Sequence, residues 1–374
     1  MKNKLGIYIH VPFCAAKCAY CDFYSVAGQP QQWDAYVHRL LAQLVQAAPD
    51  CTDYTIDTIY FGGGTPSLLG GARIARTLDE LRRRYAVEPN AEITVEANPD
   101  SMTDEFLSIS REAGVTRLSM GIQSAHDEEL RALGRIHTFA QAQDAFFRAR
   151  RAGFDNLSVD LMMYALPGQT VPQLEQSIDA LLALEPEHLS CYGLTVEPHT
   201  PLGQQNPILP EEDTQADMYL LLCEKMAQAG FEHYEISNFA RESHFRSRHN
   251  SRYWAQSPYL GFGPGAHADF GGQRIEWPRD LSTWLAGTAR PVIEDEHIDR
   301  ALEYIMLSLR TSDGWDAAYY RATFGRDPTP IEQAFSVLPP THISHTGSHW
   351  HLTDAGFLIS NPIILAALDA AETH

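Results

Sequence analysis

Seven short runs rich in β-branched, aliphatic and aromatic residues recur along the first two thirds of the chain, separated by amphipathic stretches of helical period. The runs are Gly6–His10, Ile56–Phe61, Glu92–Ala97, Arg117–Ile122, Asn156–Met162, His188–Leu194 and Glu232–Ile236. The helical stretches cover about 32–48, 72–86, 103–113, 138–152, 172–184 and 211–229. Such alternation admits few folds, because parallel strands need long crossovers and those crossovers are right-handed. Several runs are almost continuously apolar, the pattern of a sheet covered on both faces. Asn98-Pro99, Gly153, Glu185-Pro186 and Gly230 punctuate the joins. An α/β fold with a parallel sheet is expected.

The polar signals fall just after strands. Cys14, Cys18 and Cys21 follow the first run, Gly62-Gly63-Gly64-Thr65-Pro66 the second and Glu96-Ala-Asn-Pro99 the third; Gln123 and Ser124 end the fourth, and Asp160 lies near the end of the fifth. Barrels of alternating strands and helices build their sites at the C-terminal ends of their strands, so these signals predict one shared site. The cysteines stand at C-x3-C-x2-C. Three thiolates so close together can hold three corners of a cubane iron–sulfur cluster, leaving one iron open to a small ligand. A disulfide framework would need even pairing and a secreted chain, and no long apolar signal region precedes the cysteines. A structural zinc site would need a fourth ligand, for which His10 is a candidate.

The chain has 374 residues and a formal net charge of -20, with no apolar run long enough to span a membrane. A soluble, cytoplasmic protein is expected, with no nucleic-acid partner and at most peripheral membrane contact. Cys51, Cys191 and Cys223 are scattered and read as buried thiols in a reducing compartment. Near residue 290 the rhythm changes. A helix is expected over Glu294–Leu309, then helices at 316–324 and 331–337, a hairpin over His345–Leu358 and a last helix at 363–371. The expected division is 1–240, a connecting segment 241–285, and a small α+β, winged-helix-like domain over 286–374.

Gly62–Pro66 suits close backbone approach to a ligand, since glycine has no Cβ in the way. It lacks the Gly-Lys-Ser/Thr of a phosphate-binding loop, and as a bare strand-to-helix turn it would need no ligand. Glu96 and Asp160 each interrupt an apolar strand, where a carboxylate is costly unless paired. They could form ion pairs inside a barrel, with Arg117 or Arg135. They could equally hold a ribose diol, while an arginine fork receives a carboxylate.

Together these features resemble the radical S-adenosylmethionine superfamily, and within it the coproporphyrinogen dehydrogenase-like branch. The strings that carry the likeness are Tyr8-Ile-His-Val-Pro-Phe-Cys14, Val95-Glu-Ala-Asn-Pro99, Arg117-Leu-Ser-Met-Gly-Ile-Gln-Ser124, Leu133-Gly-Arg-Ile-His-Thr138, Tyr234-Glu-Ile-Ser-Asn-Phe239 and Leu352-Thr-Asp-Ala-Gly356. The resemblance implies a partial (β/α)6 barrel of TIM type. It implies that Cys14, Cys18 and Cys21 hold a [4Fe–4S] cluster whose open iron chelates S-adenosylmethionine. Gly63, Gly64 and Thr65 would line the methionine moiety; Tyr8, Glu96, Gln123, Arg135 and Asp160 match binding positions, and Tyr20 one whose backbone lies alongside. An electron from the cluster would split the sulfonium to methionine and an adenosyl radical. Asp160 to Pro167 is one residue longer than usual in the family, with Ala165 where glycine is frequent.

The oxygen-independent coproporphyrinogen III dehydrogenases of this branch carry a further cysteine two residues after the third and an extension before the cluster. Here position 23 is Phe and the first cluster cysteine is residue 14. Both features resemble instead the haem chaperones of the branch, as does His249-Asn-Ser-Arg-Tyr-Trp254, which fits H-N-x-x-Y-W. Histidine is the commonest haem iron ligand, which makes His249 a candidate; the alternative is a satisfied polar residue in a loop stapled by Trp254. The resemblance thus implies a haem-binding chaperone that serves apo-haemoproteins, including respiratory enzymes, and that could form a homodimer. Radical decarboxylation of coproporphyrinogen III is the competing reading, and methyl transfer to a tetrapyrrole a third. His10, His137 and His267 read as structural.

Overall fold

The structure, a computed structural model, describes residues 2–164, 168–295 and 297–372. Ala165 and Pro167, and with them the spacing from Asp160, lie outside the described residues. The chain forms two compact units, Met1–Pro210 with Pro258–Glu296, and Glu211–Ser257 with His297–His374.

The first unit is built on six parallel strands: β1 (Asn3–Val11), β2 (Tyr54–Gly63), β3 (Val87–Ala97), β4 (Arg117–Gln123), β5 (Leu157–Met163) and β6 (His188–Gly193). Each pairs with the next in chain order, the sequence of a singly wound barrel. The crossovers contain α1 (Trp33–Ala47), α2 (Gly71–Arg84), α3 (Asp104–Glu112), α4 (Phe139–Arg151) and α5 (Val171–Leu182). The α/β fold and its partial barrel are therefore present. At the far edge of β1 the chain returns: Tyr259–Phe262 pairs with it in parallel, and Val292–Asp295, Gln273–Glu276 and His267–Phe270 extend the edge as antiparallel strands. These four-residue strands mix glycine, charge and aromatics and carry no clear two-residue period, so the sequence did not announce them.

Side-chain alternation sorts the barrel's two faces. Leu5, Ile7, Ile9 and Val11 of β1, Ile59 and Phe61 of β2, Val95 of β3, Leu118 and Met120 of β4, and Val159 and Leu161 of β5 are all buried. Burying each such side chain contributes about 1.5–3 kcal/mol before chain entropy is counted. The alternate positions carry Tyr8, His10, Tyr60, Glu96, Arg117, Ser119, Asp160, His188 and Ser190, which bond or interact with one another. The sheet is thus apolar on one face only. The other face is polar because it forms the floor of a cavity.

Helix starts follow local chemistry. Thr138 and Thr170 each close a capping box with the glutamine three residues on, and Thr103 caps α3. In the second unit, helix Glu212–Gln228 precedes an antiparallel hairpin, Glu232–Glu235 with Asn238–Ala240. The run expected at Glu232–Ile236 is thus antiparallel to its partner in this unit, because two residues of turn leave no room for a crossover. Helix Arg300–Ser308, strand Trp315–Asp316, helices Ala317–Phe324 and Thr329–Ser336, and the hairpin Ile343–Thr346 with His349–Leu352 then give the element order of a winged helix. Trp315, Tyr320, Ile331 and Phe335 fill its core. The hairpin ends at Leu352 rather than Leu358, because Thr353 caps a new helix at Asp354–Leu358. The helix expected from Glu294 starts at Arg300, where Asp299 caps it. Removing the α4 capping box with Thr138→Ala is expected to lower unfolding free energy by about 1 kcal/mol, measured by urea denaturation.

Candidate functional site

A cavity of about 470 Å³ opens at the C-terminal ends of β1–β6. Cys14, Cys18, Cys21, Tyr20, Gly63, Gly64, Thr65, Glu96, Gln123, Arg135 and Asp160 all line it. The sequence signals that follow separate strands therefore meet in one place.

The cysteine loop is fastened at several points. Phe13–Cys14 pairs with Val26–Ala27, and the Cys14 carbonyl accepts from Gly28 N at 3.0 Å. Midway, Ala19 N donates to Leu133 O at 3.0 Å and Ala19 O accepts from Leu202 N at 2.8 Å. The glycine-rich loop clamps the same segment: Gly64 N donates to Val11 O at 2.8 Å and Thr65 N to Phe13 O at 2.7 Å. A Cβ on Gly64 would lie 2.6 Å from Phe13 O, and one on Gly63 2.6 Å from the His10 ring. These glycines are required by packing against the cysteine strand, whatever the loop also lines. His10 completes the clamp. Its Nε2 meets Tyr24 O at 2.8 Å and its Nδ1 meets Tyr8 Oη at 3.1 Å. Burial pushes its pKa down to about 4, so it is neutral, with the Nε2 proton donated to the carbonyl.

Arg135 ties the cluster loop to the opposite wall. Its Nη1 donates to Cys18 Sγ at 3.4 Å, and its Nη2 to Asn98 Oδ1 at 3.1 Å and to the Gly121 carbonyl. A Cβ at position 121 would sit 2.4 Å from that Nη2, so Gly121 makes the path. Asn98 Nδ2 donates in turn to Thr65 Oγ1 at 3.2 Å, and that hydroxyl lies 3.7 Å from Cys14 Sγ. Burial raises the pKa of the Cys14 and Cys21 thiols. Metal binding at such thiols is coupled to loss of their protons.

Two acids face the cavity. Glu96 accepts from Tyr60 Oη at 2.7 Å and from Gly63 N at 3.2 Å, and burial still pushes its pKa up to about 7. Asp160 accepts from Ser119 Oγ at 3.3 Å; burial raises it to about 6 against the pull of Arg117 and Arg135. Gln123 takes a left-handed backbone, φ 75°, at the end of β4, where the pairing with β5 shifts register. Buried His137 donates through Nε2 to Ile122 O at 3.2 Å beside it. Gln123 Oε1 and Arg135 Nε are buried without a protein partner. Buried polar atoms of this kind await a ligand or water.

Tyr8 does not line the cavity; it stacks against Tyr60 with ring centroids 6.2 Å apart and holds His10. His267 lies outside the lining too, with its Nδ1 3.1 Å from Glu294 Oε2. Asn98, Ser119, Tyr60 and Tyr192 were not singled out from sequence. The inward alternation of Tyr60 with Gly62, and of Ser119 with Gly121, was the available signal. His249 belongs to the second unit, fully buried on helix Arg248–Trp254, with Nε2 3.0 Å from Tyr253 Oη and a pKa pushed by burial down to about 3. Trp254, from the same motif, lines a second cavity of about 400 Å³ with Tyr234, Arg246, Tyr304 and Tyr319.

Three thiols at C-x3-C-x2-C on one wall, and orphaned polar atoms with two acids on the others, fit a three-cysteine [4Fe–4S] cluster with S-adenosylmethionine beside it. Residues 8–181 match the family model of the radical SAM superfamily, which brings those two cofactors with it. The fold is shared with coproporphyrinogen III oxidase from Escherichia coli, at a TM-score of 0.84 and 21% identity, over 98% of this chain and 90% of that one. Within this class, the chain is 36% identical to the haem chaperone HemW of Bacillus subtilis, over 96% of this chain and 98% of that protein. It is 33% identical to the haem chaperone HemW of Escherichia coli, over 96% and 97% of the two chains. The chain belongs to the HemW family.

Glu96 holds its proton more tightly in the folded chain than in the unfolded one. It therefore supports the fold below the ordinary carboxylate range, and that support is lost as pH rises through about 7. In cluster-free protein, Glu96→Gln is expected to gain stability relative to the native chain between about pH 5 and pH 8, by on the order of 2 kcal/mol. Urea midpoints across that range measure the change.

Proposed function

We propose that this protein is a haem chaperone: it binds haem, carries a [4Fe–4S] cluster with S-adenosylmethionine, and passes haem to apo-haemoproteins. The observation that carries the reading is identity of 33–36% along nearly the whole chain to relatives named haem chaperone HemW. Phe23 supports it. It lines the cavity and is 70% exposed where the dehydrogenases of the branch have a further cysteine. The shared fold with coproporphyrinogen III oxidase does not favour turnover, because that fold serves both activities.

Cys14, Cys18 and Cys21 would hold the cluster, and Arg135 supports Cys18. Gln123, Glu96 and Asp160 offer acceptors for hydroxyl and ammonium groups, and Arg135 Nε offers a donor. Once bound, the cofactor pair supplies one-electron cleavage of a sulfonium carbon–sulfur bond. The chain's contribution is to orient the pair between β1 and β5 and to keep it in a partly closed cavity. Among the described residues no helix is long and apolar enough to cross a membrane. We assign the protein to the cytoplasm, with respiratory haemoproteins among its acceptors and peripheral membrane contact at most.

His249 is the haem residue suggested by its motif. Ligation would require its imidazole to leave Tyr253 and its buried position. Trp254 already faces a cavity.

The test is paired. Reconstituted protein is given coproporphyrinogen III with S-adenosylmethionine and reductant, and separately given haem. Haem binding without conversion to protoporphyrinogen is expected; turnover would overturn the chaperone reading. His249→Ala is expected to weaken haem binding and shift its Soret band, and an unchanged spectrum removes His249 as ligand. Replacing Cys14, Cys18 and Cys21 by Ala is expected to abolish the cluster, measured as loss of about four irons and four sulfides per chain.

A further inference from the structure

Within the second unit, Cys223, His233 and Asp354 bring one sulfur, one nitrogen and one oxygen to a common point, all within 4.8 Å of one another. They come from three elements: helix Glu212–Gln228, strand Glu232–Glu235 and the first turn of helix Asp354–Leu358. His233 Nδ1 is the hub, 3.9 Å from Cys223 Sγ and 2.7 Å from Asp354 Oδ1. Nothing in the radical SAM site or in the haem reading uses these residues.

The imidazole is held from every side. It stacks on Phe239 with centroids 4.3 Å apart and tilts against Phe357 at 5.0 Å. Its Nε2 lies 3.5 Å from Tyr219 Oη, and that hydroxyl is 3.3 Å from Ile236 O. When the tyrosine donates to the carbonyl, it accepts from Nε2–H, and the Nδ1 lone pair then points at the thiol and the carboxylate. This is how an outer partner fixes the tautomer of a metal-ligating histidine. Facing lone pairs on Nδ1 and Oδ1 repel at 2.7 Å unless a proton or a cation lies between them.

We propose that Cys223, His233 and Asp354 form a binding site for a zinc-class divalent ion, with the fourth position open to water. The donor set mixes thiolate, imidazole and carboxylate, which suits a borderline-soft tetrahedral ion and not calcium or magnesium. Ligand bonds of about 2.0–2.3 Å give tetrahedral edges of roughly 3.3–3.8 Å. The sulfur–nitrogen edge is already close to that length. The nitrogen–oxygen edge would open by roughly half an ångström at the same bond lengths, and Asp354, whose side chain is 50% exposed, is free to make that turn. Burial and the neighbouring carboxylate together disfavour the Cys223 thiolate in the absence of metal. A divalent cation reverses that penalty, and binding releases the thiol proton. The ion would staple the helix, the strand and the Asp354 turn.

Cobalt(II) is the probe, added anaerobically to protein whose cluster is already assembled, so that Cys14, Cys18 and Cys21 are occupied. The expected result is one tight cobalt per chain, with tetrahedral d–d absorption, a thiolate-to-cobalt charge-transfer band and displacement by zinc. Cys223→Ser is expected to lose the charge-transfer band, and His233→Ala to lose stoichiometric binding. Asp354→Asn, at a half-exposed position, is expected to keep the fold and weaken binding at least tenfold. Glu294→Gln, within the separate group of His267, Glu276 and Glu294, is expected to bind cobalt as the native chain does. A charge-transfer band that survives in folded Cys223→Ser, or native affinity in Asp354→Asn, would overturn the proposal, as would the absence of any stoichiometric site in the native chain.

Discussion

The site depends on a backbone clamp. Gly64 N–H and Thr65 N–H reach across from the end of β2 to the carbonyls of Val11 and Phe13, on the strand that leads into the cysteines. Two peptide hydrogen bonds fix where Cys14 leaves the sheet. Glycine is obligatory there because a Cβ at Gly64 would fall within 2.6 Å of a carbonyl oxygen. Everything further along the loop inherits that position. Ala19 is tied to Leu133 and Leu202, and Cys18 is tied to Arg135. A cluster needs its thiolates held within a few tenths of an ångström, and a loop gains such precision only when a sheet dictates its ends.

Charge is the second constraint. Arg117 is 1% exposed, and its Nε and Nη1 lack hydrogen-bond partners. A guanidinium in that position is costly unless opposite charge lies near. Asp160 and Glu96 supply that charge, and Arg117 in turn lowers the pKa of both acids. The exchange leaves Glu96 at about 7 and Asp160 at about 6, able to change protonation near neutrality. Arg135 stands between this floor and the cluster wall, touching Cys18 on one side and feeling Asp160 on the other. If the thiols lost their protons to solvent on binding iron, Arg135 would already place positive charge beside Cys18.

Much of this was legible in the sequence, and the part that was not has physical reasons. All six barrel strands and the helices between them follow from periodicity, because each strand hides one face under a helix and its hydrophobic side chains record that burial. The residues that line the cavity were legible because polar groups in apolar strands are costly and therefore informative. Tyr60 and Asn98 were harder: both act through other side chains, Tyr60 on Glu96 and Asn98 on Thr65 and Arg135. Several strands look almost continuously apolar because Tyr, Gly and Met also occupy inward positions, as Tyr8, Tyr60, Gly62, Gly121 and Met162 do. The strands between 259 and 295 were missed because each is four residues long. Nothing in the sequence brings Cys223, His233 and Asp354 together, since 121 positions separate His233 from Asp354.

The cavity alone does not separate a tetrapyrrole dehydrogenase from a tetrapyrrole carrier. Its deep residues, Arg135, Asp160 and Gln123, suit a polar cofactor, and that need is common to both. The difference lies at the opening, where Phe23 is 70% and Tyr192 41% exposed beside Leu194 and Cys21. A thiol at position 23 could ligate iron or exchange a hydrogen atom. A phenyl ring can do neither, but it offers a flat apolar surface of the kind a porphyrin face packs against. Phe23 therefore adds an apolar contact surface, and no iron ligand, to the lining of the cavity, which suits a member of a family whose relatives are named haem chaperones.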